Sequence, residues 1–254
     1  MNTLIAFYQT IGPALTLLVV ITFFLAGTVK GVIGLGLPTI AMGLLGLAMP
    51  PAQAAALLIV PSTLTNLWQL AAGGHLLALL RRLGPMLAMI FVGTLVGSAW
   101  LGINSGAWAA HALGAALLAY AVYGLLGPGL RVAQRWEWWL GPLCGMVTGV
   151  VTAATGVFVM PAVPYLQSLG LNRDEMIQAL GLAFTVSTLA LALGLAGQDA
   201  LGGQALGASL LMLAPALVGM LAGQWLRQRI SATLFKRCFF IGLAVLGGHL
   251  LING

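Results

Sequence analysis

The chain has 254 residues, 61% hydrophobic and only 6% charged, and a net charge of +6 from ten Lys/Arg against four Asp/Glu. A soluble domain carries roughly 25% charged residues, so the composition excludes a soluble surface and implies an all-α, polytopic integral membrane protein in a lipid bilayer. The basic residues lie in short loops between apolar runs rather than on one soluble face, as a nucleic-acid binder would need, so no nucleic-acid partner is expected.

Apolar segments are expected at about 11–35, 52–71, 83–102, 107–126, 138–156, 177–196, 205–226 and 233–252. Each approaches the roughly 20 residues that cross a bilayer. Met1–Thr10 has no basic residue, so the start does not read as a cleavable signal. The first segment contains Gly27-Thr-Val-Lys-Gly-Val-Ile-Gly-Leu-Gly-Leu-Pro38. Glycine costs a helix interior about 1 kcal/mol relative to alanine and proline about 3. The helix is therefore expected to break near Gly34–Pro38. Broken backbone at membrane depth is tolerated only inside protein or beside a water-filled cavity, and such breaks point to transporter binding sites. Two shorter apolar pieces, 39–49 and 157–169, follow the first and fifth segments and suit the returning arm of a hairpin. A second break is expected at Thr152-Ala-Ala-Thr155-Gly156.

The linker 127–135 divides the chain into 1–126 and 136–254, and the halves resemble each other. Gly27 and Gly31 match Gly145 and Gly149 at an offset of 118; Thr63 matches Thr185, and Leu95-Val96-Gly97 matches Leu217-Val218-Gly219, at 122. An internal duplication with about four extra residues in the second half, before Leu171, accounts for both offsets. Eight full crossings would split the nine loop cations four to five between the two sides, against the positive-inside tendency. If the first and fifth segments form re-entrant broken-helix hairpins, each half crosses three times, the halves are inverted, and all nine cations share one face. That face is then cytoplasmic and both termini lie outside.

The polar residues inside these segments are few. Lys30 is the sole Lys or Arg in a segment interior, either an anion-binding charge or a side chain snorkelling to the interface. Helices starting after Pro38 and after Gly156 would aim free amides at the membrane centre, where they favour anions; Gly34 and Gly36 would let a ligand approach bare backbone, and Thr155 would offer a hydroxyl. Thr63/Asn66 and Thr185/Thr188 are i,i+3 pairs that either line this site or bond between helices. Ser62, Thr65, Gln69 and Ser187 are further polar groups in the same runs. Gly93-xxx-Gly97 and Gly219-xxx-Gly223 read as packing motifs, Asn172 with Glu175 as a capping box, the Trp136/Trp138/Trp139 group as an interfacial anchor, and Cys144 and Cys238 as small buried hydrophobes. His75, His111 and His249 have no metal spacing, so neither metal nor cofactor is expected. Glu137, Asp174, Glu175 and Asp199 all sit at segment edges. Absence of interior carboxylates argues against a cation pathway, and no arrangement for enzymatic catalysis is visible.

These glycines carry a family resemblance. Gly27-xxx-Gly31-xx-Gly34-x-Gly36 followed by Pro38 resembles the first glycine-rich repeat of the sulfite exporter TauE/SafE family, and Gly145-xxx-Gly149 with Gly156 and Pro161 resembles the second. Leu37 and Pro38, and Thr152, Ala154 and Thr155, stand where that pattern has glycines. The resemblance implies a multi-pass transporter in the cytoplasmic membrane carrying sulfite, sulfonates or related organosulfur anions. Residues expected to bind the anion are Lys30, Gly31, Gly34, Gly36, Pro38, Thr63, Asn66, Thr155, Gly156, Thr185 and Thr188. A coupling ion is not specified. An anion channel and a non-transporting membrane scaffold are the alternatives.

Overall fold

A computed structural model describes residues 7–8, 10–71, 74–101, 107–127, 129 and 131–253. These residues form α1 (Pro13–Ile33), α2 (Leu37–Leu45), α3 (Pro51–Ala71), α4 (Leu76–Trp100), α5 (Ala107–Leu126), α6 (Glu137–Thr155), α7 (Ala162–Ser168), α8 (Arg173–Ala196), α9 (Gly203–Arg227) and α10 (Ala232–Asn253), with a short 3-10 turn at Gln134–Trp136 and no strand among them. Seven of the described helices, α1, α3, α4, α5, α8, α9 and α10, are long and apolar enough to cross a membrane.

The expected breaks are present, and backbone conformation explains them. Pro13 opens α1, where its missing N–H costs nothing. Gly34, at φ 79°, closes the helix in the left-handed region, its N–H bonded to Lys30 O. Gly36, at φ 104°, is left-handed as well, and α2 starts at Leu37 with Pro38 inside its first turn rather than after it. In the second half Gly156, at φ 69°, closes α6 in the same way. The two closing glycines are 122 apart, whereas Gly27 and Gly145 are 118 apart. The four extra residues therefore lie between Gly149 and Gly156, as one additional turn of α6.

Three expectations are adjusted. Six crossing helices were expected besides the hairpins; α1, an arm of the first hairpin, is also long and apolar enough to cross, at 21 residues like α3. It runs parallel to α3, because Lys30 bonds Thr65 and Asn66 while Gly34 O accepts from Gln69. Thus α2 and the turn after it return the chain, and the hairpin has one full-length arm. Second, α4 begins at Leu76, not near 83, and takes Arg81 and Arg82 into its opening turns. An apolar run marks where lipid begins, whereas the helix begins where backbone bonds begin. Third, Cys238 is exposed and Cys144 only partly buried; Cys238 borders an outward groove between α1, α2 and α10.

Glycine faces lock the bundle across the two halves of the sequence. A Cβ at Gly27 would lie 2.1 Å from Ala216 O, one at Gly31 2.2 Å from Met220 O, and one at Gly223 2.1 Å from Thr28 O, so α1 lies backbone to backbone on α9. Likewise a Cβ at Gly145 would lie 2.3 Å from Met86 O and one at Gly93 2.6 Å from Met146 O, so α6 lies on α4. The expected packing motifs at Gly93/Gly97 and Gly219/Gly223 are one side of these seams. Further pairings join α3 to α8, α4 to α8, α9 to α3, and α10 to α5. Exchanging α1–α5 with α6–α10 leaves this set of pairings unchanged. Counterparts that touch run antiparallel: Asn66 meets Thr188 and Leu70 meets Gly181, while Gly114 meets Gly247 and Gly124 meets Phe240.

One repair in α3 is local. Pro61 lacks an N–H and leaves Leu57 O without its partner one turn on. Ser209 of α9 donates to Leu57 O at 2.8 Å and accepts from Val60 N–H at 3.0 Å. The cap on α8 matches expectation: Asn172 accepts from Asp174 and Glu175 N–H, and Glu175 accepts from Asn172 N–H. The three tryptophans at the start of α6 are exposed, as an interfacial anchor requires.

Candidate functional site

The helix directions gather Arg81, Arg82, Arg131, Arg135, Arg173, Arg227, Arg229, Lys236 and Arg237 at the end of the bundle where α3, α5 and α9 finish. Two contacts fix the level: Val132 N–H bonds Ser168 O, and Arg82 bonds both Glu137 and Leu169 O. Lys30 is the exception. It is 3% exposed and lies one turn before α1 closes at Gly34.

Its ammonium donates to Thr65 Oγ1 at 3.0 Å and to Asn66 Oδ1. Asn66 Nδ2 donates in turn to Thr188 Oγ1 at 3.4 Å. The cluster joins α1, α3 and α8. By the offset of 122, Asn66 and Thr188 are counterparts, so their hydrogen bond sits where the two similar halves cross. Lys30 snorkels nowhere: it points into this cluster. The described residues include all four Asp and Glu of the chain, and their one ion pair is Arg82–Glu137 at 2.7 Å. Lys30 therefore has hydroxyl and amide partners but no carboxylate. An ammonium has three N–H donors, and two are used.

Neighbouring polar atoms add capacity. Ser62 Oγ and Gln69 Oε1 on α3 and Ser187 Oγ on α8 are buried without a hydrogen-bond partner. Leaving such a group unpaired costs about 1–3 kcal/mol. Gln69 Nε2 donates to Gly34 O at 2.6 Å, fixing the break of α1 against α3. Ser62, Thr65, Asn66 and Gln69 follow 0, 3, 4, 7 spacing, one helical stripe, and all four are buried. That spacing is the signal for Thr65 and Gln69, which the i,i+3 pairing with Thr63 passes over.

The remaining expected residues are placed as follows. Gly31 packs on α9, and Gly34 and Gly36 turn the backbone, with Gly36 close against Val29. Pro38 sits buried in α2. Thr63 and Thr185 are half-buried and bond back to Ile59 O and Gly181 O of their own helices. Thr155 donates to Val151 O and accepts from Val157 N–H, and Gly156 lies against Met42 of α2. The structure thus joins Lys30, Asn66 and Thr188, with Gly34 attached through Gln69. No hydrogen bond among the described residues links Thr155 to them.

A cavity of about 470 Å³ lies at the basic end, bounded by Gly34 and Leu35 at the break of α1 and by side chains of α5, α8, α9 and α10.

Seven crossing-length helices, two broken hairpins and a buried lysine where α1, α3 and α8 meet define a polytopic helical membrane protein with a polar cluster inside it. A family model described as Sulfite exporter TauE/SafE matches residues 19–250. The chain belongs to the sulfite exporter TauE/SafE family, a family of membrane transporters. Neither the curated proteins nor the solved structures gave a match.

Proposed function

We propose that this protein is a secondary transporter of small anions, sulfite or a small sulfonate, working by alternating access. The observation that carries the reading is Lys30, a buried cation held by Thr65 and Asn66 with no carboxylate beside it. Burying an unpaired charge costs several kcal/mol, and an anion at the unused Lys30 donor would offset much of that. Ser62 and Ser187 hydroxyls offer further donors for oxyanion oxygens. Lys30, Asn66 and Thr188 form the proposed contact set, with the α1 break at Gly34–Pro38 beside it. Thr155 and Gly156 belong to the second break, which would serve the opposite opening. Gly31, Thr63 and Thr185 support the surrounding helices.

Residues 1–126 and 136–254 are read as inverted repeats about the 127–135 linker. Antiparallel counterparts, α3 with α8 and α5 with α10, support this. The basic end is assigned to the cytoplasm by the positive-inside tendency, and the bilayer is assigned as the cytoplasmic membrane.

The test is uptake of labelled sulfite and small sulfonates into proteoliposomes under imposed ion gradients. Saturable, counter-ion-dependent movement is expected. If no anion moves under any gradient, the transporter reading fails; current driven by voltage alone would identify a channel.

A further inference from the structure

The cavity at the basic end is lined by none of Lys30, Asn66 and Thr188. Its volume is about 470 Å³, and its walls include Gly34, Tyr123, Gln167, Arg173, Arg227 and Lys236. The three cations come from three helices: the start of α8, the last turn of α9 and the first turns of α10. No acidic side chain lines it. Of the nearby carboxylates, Glu175 caps α8, Glu137 pairs with Arg82, and Asp174, next to Arg173, does not line the cavity. None of the three cations is in an ion pair among the described residues. Arg229, two residues past Arg227, stacks on Trp225 instead, with its guanidinium carbon 3.9 Å from the ring centre.

The floor matters equally. Val32, Ile33, Gly34 and Leu35 line the cavity, and Gly34 O is held by Gln69, one turn along α3 from Asn66. The cavity therefore ends at the backbone break that adjoins Lys30. Like charges around a concavity with low-dielectric walls focus the field and raise the local concentration of counter-charged solutes by about tenfold to a thousandfold in on-rate. The volume exceeds that of a small oxyanion and accommodates one with part of its hydration shell.

We infer that the cavity walled by Arg173, Arg227 and Lys236 is a second anion site, an entry vestibule for small sulfur oxyanions and sulfonates on the linker side. Anions collect there, still hydrated, before passing the Gly34 break to Lys30. The inference rests on the transporter reading for its purpose, but its electrostatics can be tested without transport.

The experiment places a cysteine in the cavity wall, Gln167→Cys, in protein carrying Cys144→Ala and Cys238→Ala and reconstituted in lipid vesicles. Two thiol reagents of similar size are compared, sulfonatoethyl and trimethylammonioethyl methanethiosulfonate. The sulfonate is expected to react about tenfold faster than the cation, and the ratio to shrink with added salt. Methanesulfonate, which attacks neither the reagents nor the disulfide they form, should slow labelling saturably, beyond chloride at equal ionic strength. Arg173→Gln, Arg227→Gln and Lys236→Gln should each lower the rate ratio, and together bring it near one. All three side chains are exposed at helix ends, and the single variants guard against misfolding of the triple. A ratio near one before substitution, a ratio the substitutions leave unchanged, or methanesulfonate no better than chloride would overturn the inference. Proteoliposomes that move no anion would sink the transporter reading instead, and leave the labelling result standing on its own.

Discussion

At the scale of a single residue, the proposed chemistry rests on Lys30. A charge-assisted hydrogen bond to an anion is worth roughly 1.5–3 kcal/mol, so Lys30→Gln should weaken sulfite binding about ten- to a hundredfold, measured as loss of the substrate-induced rise in melting temperature. Lys30→Arg should keep part of that rise, since charge persists and geometry changes. The ligand-free protein should respond in the opposite sense to Lys30→Met. That variant removes a desolvation penalty of several kcal/mol and leaves Asn66 Oδ1 unpaired at about 1–3 kcal/mol, so its melting temperature without substrate should rise. A fall would mean that Lys30 is structural. Much of this site is legible in the sequence, because a lone lysine in an apolar run is conspicuous, and so are the polar groups of α3. Which of Thr63 and Thr65 faces it is not decided by an i,i+3 pair alone. Both hydroxyls donate to their own helix, but Thr65 shares the buried stripe with Asn66 while Thr63 turns half outward. Likewise the spacing of Thr155 suggests an open donor, yet its hydroxyl is spent on its own helix, because short-range back-bonding leaves no trace in spacing.

At the scale of the element, the helices are held by two devices of different visibility. The Ser209 clamp on α3 is one. Ser209→Ala should strand Leu57 O and Val60 N–H and destabilise by about 1–3 kcal/mol, read from denaturation in detergent. In a Pro61→Ala background α3 supplies its own N–H, so the same substitution should cost markedly less; equal costs in both backgrounds would remove the clamp. No sequence rule pairs residues 149 positions apart, and the counterpart of Pro61 in the second half is Ala183, so even the repeat gives no hint. The glycine seams are the second device, and here the sequence speaks clearly through Gly219 and Gly223. What it conceals is the division of labour within the motif: Gly27 and Gly31 admit a neighbouring backbone, while Gly34 and Gly36 turn their own. Gly223→Ala would drive a Cβ to 2.1 Å from Thr28 O, and overpacking of this kind costs about 1–3 kcal/mol or more. Gly242→Ala on α10 meets nothing within 4 Å and should stabilise by up to about 1 kcal/mol through helix propensity. Melting temperatures of the two variants should move in opposite directions.

For the whole molecule, the nine loop cations at one end and the antiparallel counterparts are the basis of the proposed orientation. Reporter fusions in the 127–135 linker and at the C-terminus should report opposite sides of the membrane, the linker cytoplasmic. Agreement between the two reporters would refute the inverted arrangement. Charge placement is what the sequence offers toward this proposed arrangement, because basic residues resist translocation whatever the helices do. The depth of the first hairpin is not readable in the same way, since hydropathy measures the length of an apolar run and not its neighbours. Only the bonds from Lys30 and Gly34 to α3 show that the last turns of α1 and α3 meet and run the same way.

The seams between α1 and α9 and between α6 and α4 also bear on how the chain is made at the ribosome. The glycine face of α1 has no partner until α9 has been synthesised, nearly two hundred residues later. The face of α4 waits in turn for α6. Early helices must therefore enter the lipid singly and pack afterwards, and the first five, released alone, would be inserted yet loosely associated. Biogenesis is expected to end in a late closing of two interlaced halves, and a nascent chain stalled after α8 should remain open to protease at sites that completed molecules protect.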